Sequence, residues 1–353
     1  MEVMVQHAKN DLIPTPFLPI PKTTTTTNIL QNLLTTHPTN LPHYMPIRPS
    51  QSLLPRHLTP TNLLTLYRHH RAMSAAPPPT RPIKILFLHG FTQSGPLFAA
   101  KCGALRKTLT KAFPAGITLS FPTAPLRLSP TDVSFLHGNN NEEKNEGGEA
   151  EEVDAWAWWR RKGDGEPYTY EGLDIGLGRI AEVLKEEGPF DGVVGFSQGG
   201  AAAAMVASLL EPGRREAFQS LHAAGGGIAF PDSFTGDVDG YVHPPLKFAV
   251  SYSGFAARGQ NPYQAFYDPK IETPVLHFLG SLDTVVEESR SLALVDACQN
   301  SEGRVVYHPG GHFLPSTQKA SVNALIGFIK EVLHQAEGPH KEEESVEDMD
   351  VPF

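Results

Sequence analysis

The stretch FDGVVGFSQGGAAAAMVASLL, residues 190–210, limits what this chain can fold into more than any other. Gly192–Phe196 is short and uniformly apolar, and it reads as a strand covered on both faces. The alanine-rich run after Gly199 shows no polar face, so it reads as a helix buried on every side. Between them Gly195, Ser197 and Gly199 spell G-x-S-x-G. Flanking residues without a Cβ let strand and helix meet across a sharp turn, which lifts the serine hydroxyl above the sheet edge. The pentapeptide alone arises by chance in Gly-rich chains. Its strand–turn–helix setting is what makes Ser197 a candidate nucleophile, and the helix N-terminus favours negative charge developing beside it.

The same alternation runs through the chain from residue 83. Strands are expected at Lys84–His89, Ile117–Phe121, Gly192–Phe196, Phe248–Tyr252, Val275–Leu279 and Arg304–Tyr307. Helices are expected over about 97–112, 172–187, 199–210, 286–299 and 317–334. Apolar strands alternating with helices predict an α/β fold: a doubly wound, mostly parallel sheet of about six strands with helices on both faces. Residues 81–335 form the expected domain. Two segments interrupt it, a polar acidic loop at 137–154 and a Gly-rich stretch at 223–245, read as irregular and close to strand ends.

Residues 1–80 contain five consecutive threonines, Thr23 to Thr27, with scattered proline and no sustained period, and read as a disordered extension. Few acids, many threonines and some arginine also fit a transit peptide, while Met73 offers itself as an alternative start. The acidic tail, 336–353, is likewise expected to be disordered. A cytoplasmic location is the first reading and a mitochondrial one, through the N-terminal extension, the second.

Charge is distributed accordingly. Segments 137–154 and 336–353 each carry seven acids and one lysine, and residues 1–80 carry six basic residues against two acids. Out of a net −9 this leaves the body close to neutral, so no nucleic-acid partner is implied. No apolar run reaches the roughly 18–20 residues of a membrane span. Cys102 and Cys298 lie far apart without metal-ligand spacing and read as structural thiols; no metal is expected.

A serine hydroxyl needs a base within hydrogen-bond reach, and in this type of sheet the partners follow in the order Ser…Asp…His. Asp283 stands just past the strand in VLHFLGSLD, and His312 sits in VVYHPGGHF, in the Gly-Gly loop after the last strand. The competitors are placed differently. Asp191 precedes the nucleophile strand, Asp268 precedes another, and Asp296, Glu287 and Glu288 fall in or at the start of a helix. His308 sits nearer its strand, directly before Pro309. An oxyanion hole would take backbone N–H groups from Gln198 and from the loop LHGFTQSG, with Phe91 best placed and Thr92 next. His89 reads as a brace for that loop. Substrate contacts are expected from Trp158, Tyr252, Phe255 and Phe313, with Phe91, Phe196 and Leu314 also near strand ends. For Trp156, Trp158 and Trp159, packing of the body is the competing reading, and Arg160 and Arg161 read as a solvated edge.

Taken together, ILFLHGFTQSG, FDGVVGFSQGGAAAA, YSGF, GSLDTVV and PGGHFLP resemble the FSH-type family of serine hydrolases, which includes ovarian-cancer-associated hydrolases and fungal esterases and thioesterases. The resemblance covers roughly residues 82–334, apart from the two interruptions. It implies the α/β-hydrolase fold, a Ser–Asp–His triad falling on Ser197, Asp283 and His312, and action on a small-molecule carboxylic ester or acyl thioester. No cofactor is implied. A carrier-protein or CoA thioesterase, with an acyl-carrier protein as partner, is an alternative within the same chemistry; a non-catalytic scaffold is an alternative outside it.

Overall fold

The structure, a computed structural model, describes residue 79 and residues 81–134, 154–163, 169–257 and 262–337. The expectations for residues 1–80, the acidic loop and the acidic tail therefore lie almost wholly outside the described residues.

Six strands form one parallel sheet: β1 (Ile83–Leu88), β2 (Ile117–Ser120), β3 (Gly192–Phe196), β4 (Phe248–Tyr252), β5 (Val275–Gly280) and β6 (Val305–His308). Their spatial order is β6-β5-β4-β3-β1-β2. The chain first moves outward from β1 to β2, then returns past β1 to β3 and winds the other way. The reversal lies between β1 and β3, where open α/β sheets form a crevice at their carboxyl ends. Every residue of β3 and β4 is buried, whereas the edge strands β2 and β6 are half-exposed, and this accounts for which runs are continuously apolar.

Side-chain alternation divides the core into two layers. Leu86, Leu88, Val193 and Ala249 point to a layer shared with helices α3 (Leu173–Glu187), α4 (Gln198–Leu209) and α5 (Arg214–Ala223). Ile85, Phe87, Val194, Phe196, Val250 and Tyr252 point to the opposite layer, with α1 (Gly95–Lys101), α2 (Gly103–Ala112) and α7 (Lys319–Glu337). A further helix, α6 (Glu288–Asp296), sends Leu294 into the first layer. All twelve residues of α4 are buried, as its alanine run predicts. A Cβ on Gly195 would lie 1.9 Å from the Gly199 carbonyl oxygen, and one on Gly199 would lie 2.1 Å from that of Leu88. Strand and helix thus meet backbone to backbone.

Three expectations need adjustment. The single helix expected over 97–112 is two, because Cys102 leaves helical geometry (φ −83, ψ 5) directly before Gly103. Helix α5 was not foreseen; its charged sequence conceals Arg214, which is buried and paired with Glu211 at 2.7 Å. The Gly-rich stretch is partly regular, with a 3-10 turn at Asp232–Phe234 and a strand at Thr235–Val238. It packs at the amino end of β3, where His243 Nε2 accepts from the Phe190 N–H.

Candidate active site

The pairing register aligns the carboxyl ends of five strands. Leu88 lies beside Gly195, Phe196 beside Tyr252, Tyr252 beside Phe278, and Gly280 beside His308. The segments that follow them therefore share one edge of the sheet. Ser197 takes φ 54 and ψ −115 at the start of α4, a conformation an L-residue holds only under constraint. Its N–H is tied to the Tyr252 carbonyl (2.8 Å) and its C=O accepts the Ala201 N–H (3.0 Å).

The structure brings Ser197, His312 and Asp283 into one hydrogen-bonded series. The Ser197 hydroxyl lies 2.9 Å from His312 Nε2, and His312 Nδ1 lies 2.8 Å from Asp283 Oδ2. A carboxylate only accepts, so Nδ1 carries the ring proton and Nε2 is left to accept from Ser197. Asp283 Oδ1 accepts from the Val285 and Val286 N–H groups at 2.9 and 3.0 Å. Burial disfavours the charged carboxyl, but those backbone N–H groups and the His312 ring outweigh it, and its pKa is held below the usual carboxylate value. The competitors are elsewhere: Asp191 sits at the opposite end of the sheet, held by Arg81 and Lys247. His308 is buried next to Phe313, outside the series.

The loop after β1 is braced from inside. His89 is fully buried; its Nε2 accepts the Ala124 N–H at 3.0 Å, so Nδ1 is the protonated nitrogen and donates to the Gly90 carbonyl at 2.8 Å. Burial, only partly offset by the Gly90 bond, lowers its pKa to about 4, which keeps the ring neutral. The Thr92 N–H is committed to the Trp156 carbonyl at 3.0 Å. Gln198 uses its side chain as a clamp, accepting from the Trp158 N–H (2.9 Å) and donating to the Trp159 carbonyl (2.7 Å). Trp158 Nε1 in turn donates to the His89 carbonyl at 2.9 Å.

This arrangement corrects part of the expected substrate set. Trp158 is fully buried and holds the loop after β1 against α4. Tyr252 is 2% exposed and stacked on Phe278 with ring centroids 4.3 Å apart. Neither reaches the cleft wall. Phe255 packs on the first core layer under the Arg290 guanidinium, 4.2 Å from its ring centre. Phe313, Phe196 and Leu314 do line a cavity of about 300 Å³ beside His312, together with Gln93, Phe98 and Lys101. The last three were not foreseen. Gln93 lies in the loop already singled out, and Phe98 and Lys101 stand three apart on α1, the spacing of a shared helix face.

A doubly wound parallel sheet carrying Ser, Asp and His in that order along its carboxyl edge defines an α/β hydrolase. The chain belongs to the serine hydrolase (FSH1) family, whose model matches residues 79–324. It is 31% identical over 274 residues to Family of serine hydrolases 3 of Saccharomyces cerevisiae, covering 75% of this chain and 90% of that one. It is 30% identical over 243 residues to Esterase OVCA2 of Homo sapiens, covering 67% and 91%. A Schizosaccharomyces pombe protein named dihydrofolate reductase is 36% identical over 241 residues, covering 67% of this chain but only 44% of that protein's length. Among solved structures, Zea mays acyl-protein thioesterase 2 is similar over 73% of this chain and 96% of its own, at 21% identity and a TM-score of 0.43.

Among the described residues no helix is long and apolar enough to cross a membrane, and no three His, Cys, Asp or Glu side chains form a group able to hold a metal ion.

Proposed function

We propose that this chain hydrolyses carboxylic esters or acyl thioesters of small molecules through an acyl-enzyme on Ser197. The observation that carries the reading is the unbroken Ser197–His312–Asp283 series, with Asp283 fixed by two backbone N–H groups. His312 Nε2 takes the Ser197 proton as Oγ attacks the acyl carbon, and Asp283 holds the ring in the required tautomer and stabilises the imidazolium that forms. The oxyanion is received by the Gln198 and Phe91 N–H groups, donors whose loops are locked in place before the reaction by the Gln198–Trp158–His89 hydrogen bonds. The intermediate collapses, and the alcohol or thiol leaves with the proton from His312. Water, deprotonated by the same ring, then attacks the acyl carbon and frees the acid. Membership of an esterase-containing family and the apolar walls of the cavity support an acyl substrate with an apolar portion.

A fluorophosphonate probe, run beside a panel of neutral acyl esters and thioesters of graded chain length, tests this. Wild type should be labelled and Ser197→Ala should not, with kcat falling by about 10⁶-fold. Labelling or turnover that survives in Ser197→Ala would remove Ser197 from the mechanism.

A further inference from the structure

The cavity beside His312 has walls of two kinds. Phe98, Phe196, Phe313 and Leu314 are apolar, and besides His312 itself the other two side chains, Gln93 and Lys101, are polar. Both offer donors. Gln93 is 9% exposed and its Oε1 accepts the Gly90 N–H at 3.3 Å, so the group it can offer a ligand is its NH₂. Lys101 is the only Lys, Arg, Asp or Glu among the residues lining the cavity, it is exposed, and it makes no ion pair among the described residues. A volume of about 300 Å³ equals that of roughly ten waters at ~30 Å³ each, room for a short chain but not for a long one.

We infer that this cavity selects esters in which a short apolar chain ends in a carboxylate, the chain lying against Phe98, Phe196, Phe313 and Leu314 and the carboxylate meeting Lys101 and Gln93. The inference rests on the esterase reading and narrows its substrate class. Away from His312, whose Nε2 is engaged by the Ser197 hydroxyl, the polar groups of the wall are the Lys101 ammonium and the Gln93 NH₂, so a terminal acceptor finds partners there and a terminal donor meets like donors. A carboxylate also gains from the ammonium, which at a partly open mouth contributes modestly. Lys101 has a second, purely structural explanation as the cation in the last turn of α1, where it complements the helix dipole. That role would affect stability and leave ester selection untouched, so the two are separable by kinetics.

The anion could belong to the acyl or to the alcohol portion, and two arms distinguish them. The acyl arm compares monoethyl adipate with its neutral near-isostere ethyl 6-amino-6-oxohexanoate. The alcohol arm compares the acetyl ester of 6-hydroxyhexanoic acid with that of 6-hydroxyhexanamide. In one arm the anionic ester should be favoured about tenfold in kcat/KM, mainly through KM, and the preference should shrink with added salt. Lys101→Gln should bring that ratio to within about twofold of one, and Lys101→Arg should keep most of it. Equal turnover of the paired esters in both arms, or a ratio unchanged in Lys101→Gln, overturns the inference while turnover of the neutral ester leaves the esterase reading standing. Failure of every ester, together with absence of fluorophosphonate labelling, overturns both.

Discussion

At the amino ends of the central strands charge is closely matched, while at their carboxyl ends the backbone is bent into conformations side chains ordinarily avoid. Asp191, just before β3, accepts from Arg81 (2.5 and 3.2 Å), from Lys247 Nζ (2.8 Å) and from the Lys84 N–H (2.9 Å), which ties β1, β3 and the approach to β4 together. Lys84 Nζ meets the Glu187 carbonyl. The opposite edge holds Thr92 (φ 66), Ser197 (φ 54) and Ser253 (φ 47). Asp239 and Asn300 also have positive φ, but Asp and Asn tolerate that region in turns. Among the described residues, Ser253 Oγ and His308 Nδ1 at the carboxyl edge are buried without a hydrogen-bond partner. One end of the sheet is thus arranged for stability and the other for a constrained geometry that costs stability, the distribution expected when strain is retained at a working site.

The comparison breaks most visibly if a change at the carboxyl edge unfolds the protein instead of silencing it. Asp283→Asn keeps the shape but replaces an acceptor facing Nδ1 with an amide that can favour the wrong tautomer of His312. A fall in kcat of about 10⁴-fold is expected with Tm nearly unchanged. Because the Asp283 carboxyl titrates below the ordinary carboxylate range, its protonation should add to activity loss only below about pH 4. Wild-type turnover in Asp283→Asn would leave the hydrogen-bonded series without a catalytic purpose.

At the amino edge the expectation is reversed. Asp191→Asn removes charge-assisted hydrogen bonds from a side chain that is about nine-tenths buried and should cost about 2 kcal/mol of stability, with kcat little affected. Burial opposes ionisation of Asp191, but Arg81, Lys247 and the Lys84 N–H together hold its pKa below the ordinary value. A carboxyl with a depressed folded-state pKa contributes stability that is fully present above its unfolded value, near 3.9, and is lost as pH falls through the folded one. Denaturant melts of wild type and Asp191→Asn should therefore converge as pH drops below about 4. A gap that stays constant through that range would mean the cost is steric.

The contrast between the two edges also marks what could be read from the sequence. Central strands buried on both faces are continuously apolar, and the alanine-rich run of α4 permits only a buried helix, so the sheet and its turn at Ser197 were legible. Asp283 and His312 followed because chain order, once the sheet is known, leaves few loops at the right edge. Side-chain direction was less accessible. Tyr252 stands at a strand end like a cleft residue, yet it shares the face of Phe248 and Val250, which point into the second layer. Trp158 reads either as a substrate contact or as packing of the body until Gln198 and His89 are seen to engage it. Gln93 and Lys101 border the cavity only because the loop after β1 and helix α1 fold back towards His312, a closure that local pattern does not encode.

Ser253 gives the smallest test and the one that most sharpens the comparison. It sits directly after β4 with φ 47, its N–H held by the Phe278 carbonyl at 2.8 Å and its hydroxyl buried without a partner among the described residues. Glycine adopts that φ freely and carries no hydroxyl to desolvate, though it also gains more freedom in the unfolded chain. The balance favours Ser253→Gly by about 1 kcal/mol, or roughly 2–4 °C in Tm for a domain of this size. If Tm rises while kcat/KM falls, the strain at Ser253 is retained for the neighbouring Ser197 turn, whose N–H hangs from Tyr252 one residue earlier. If Tm rises and activity holds, Ser253 is an incidental cost. A fall in Tm would show that the carboxyl edge is less strained than its backbone angles indicate, and the proposed difference between the two ends of the sheet would lose its energetic basis.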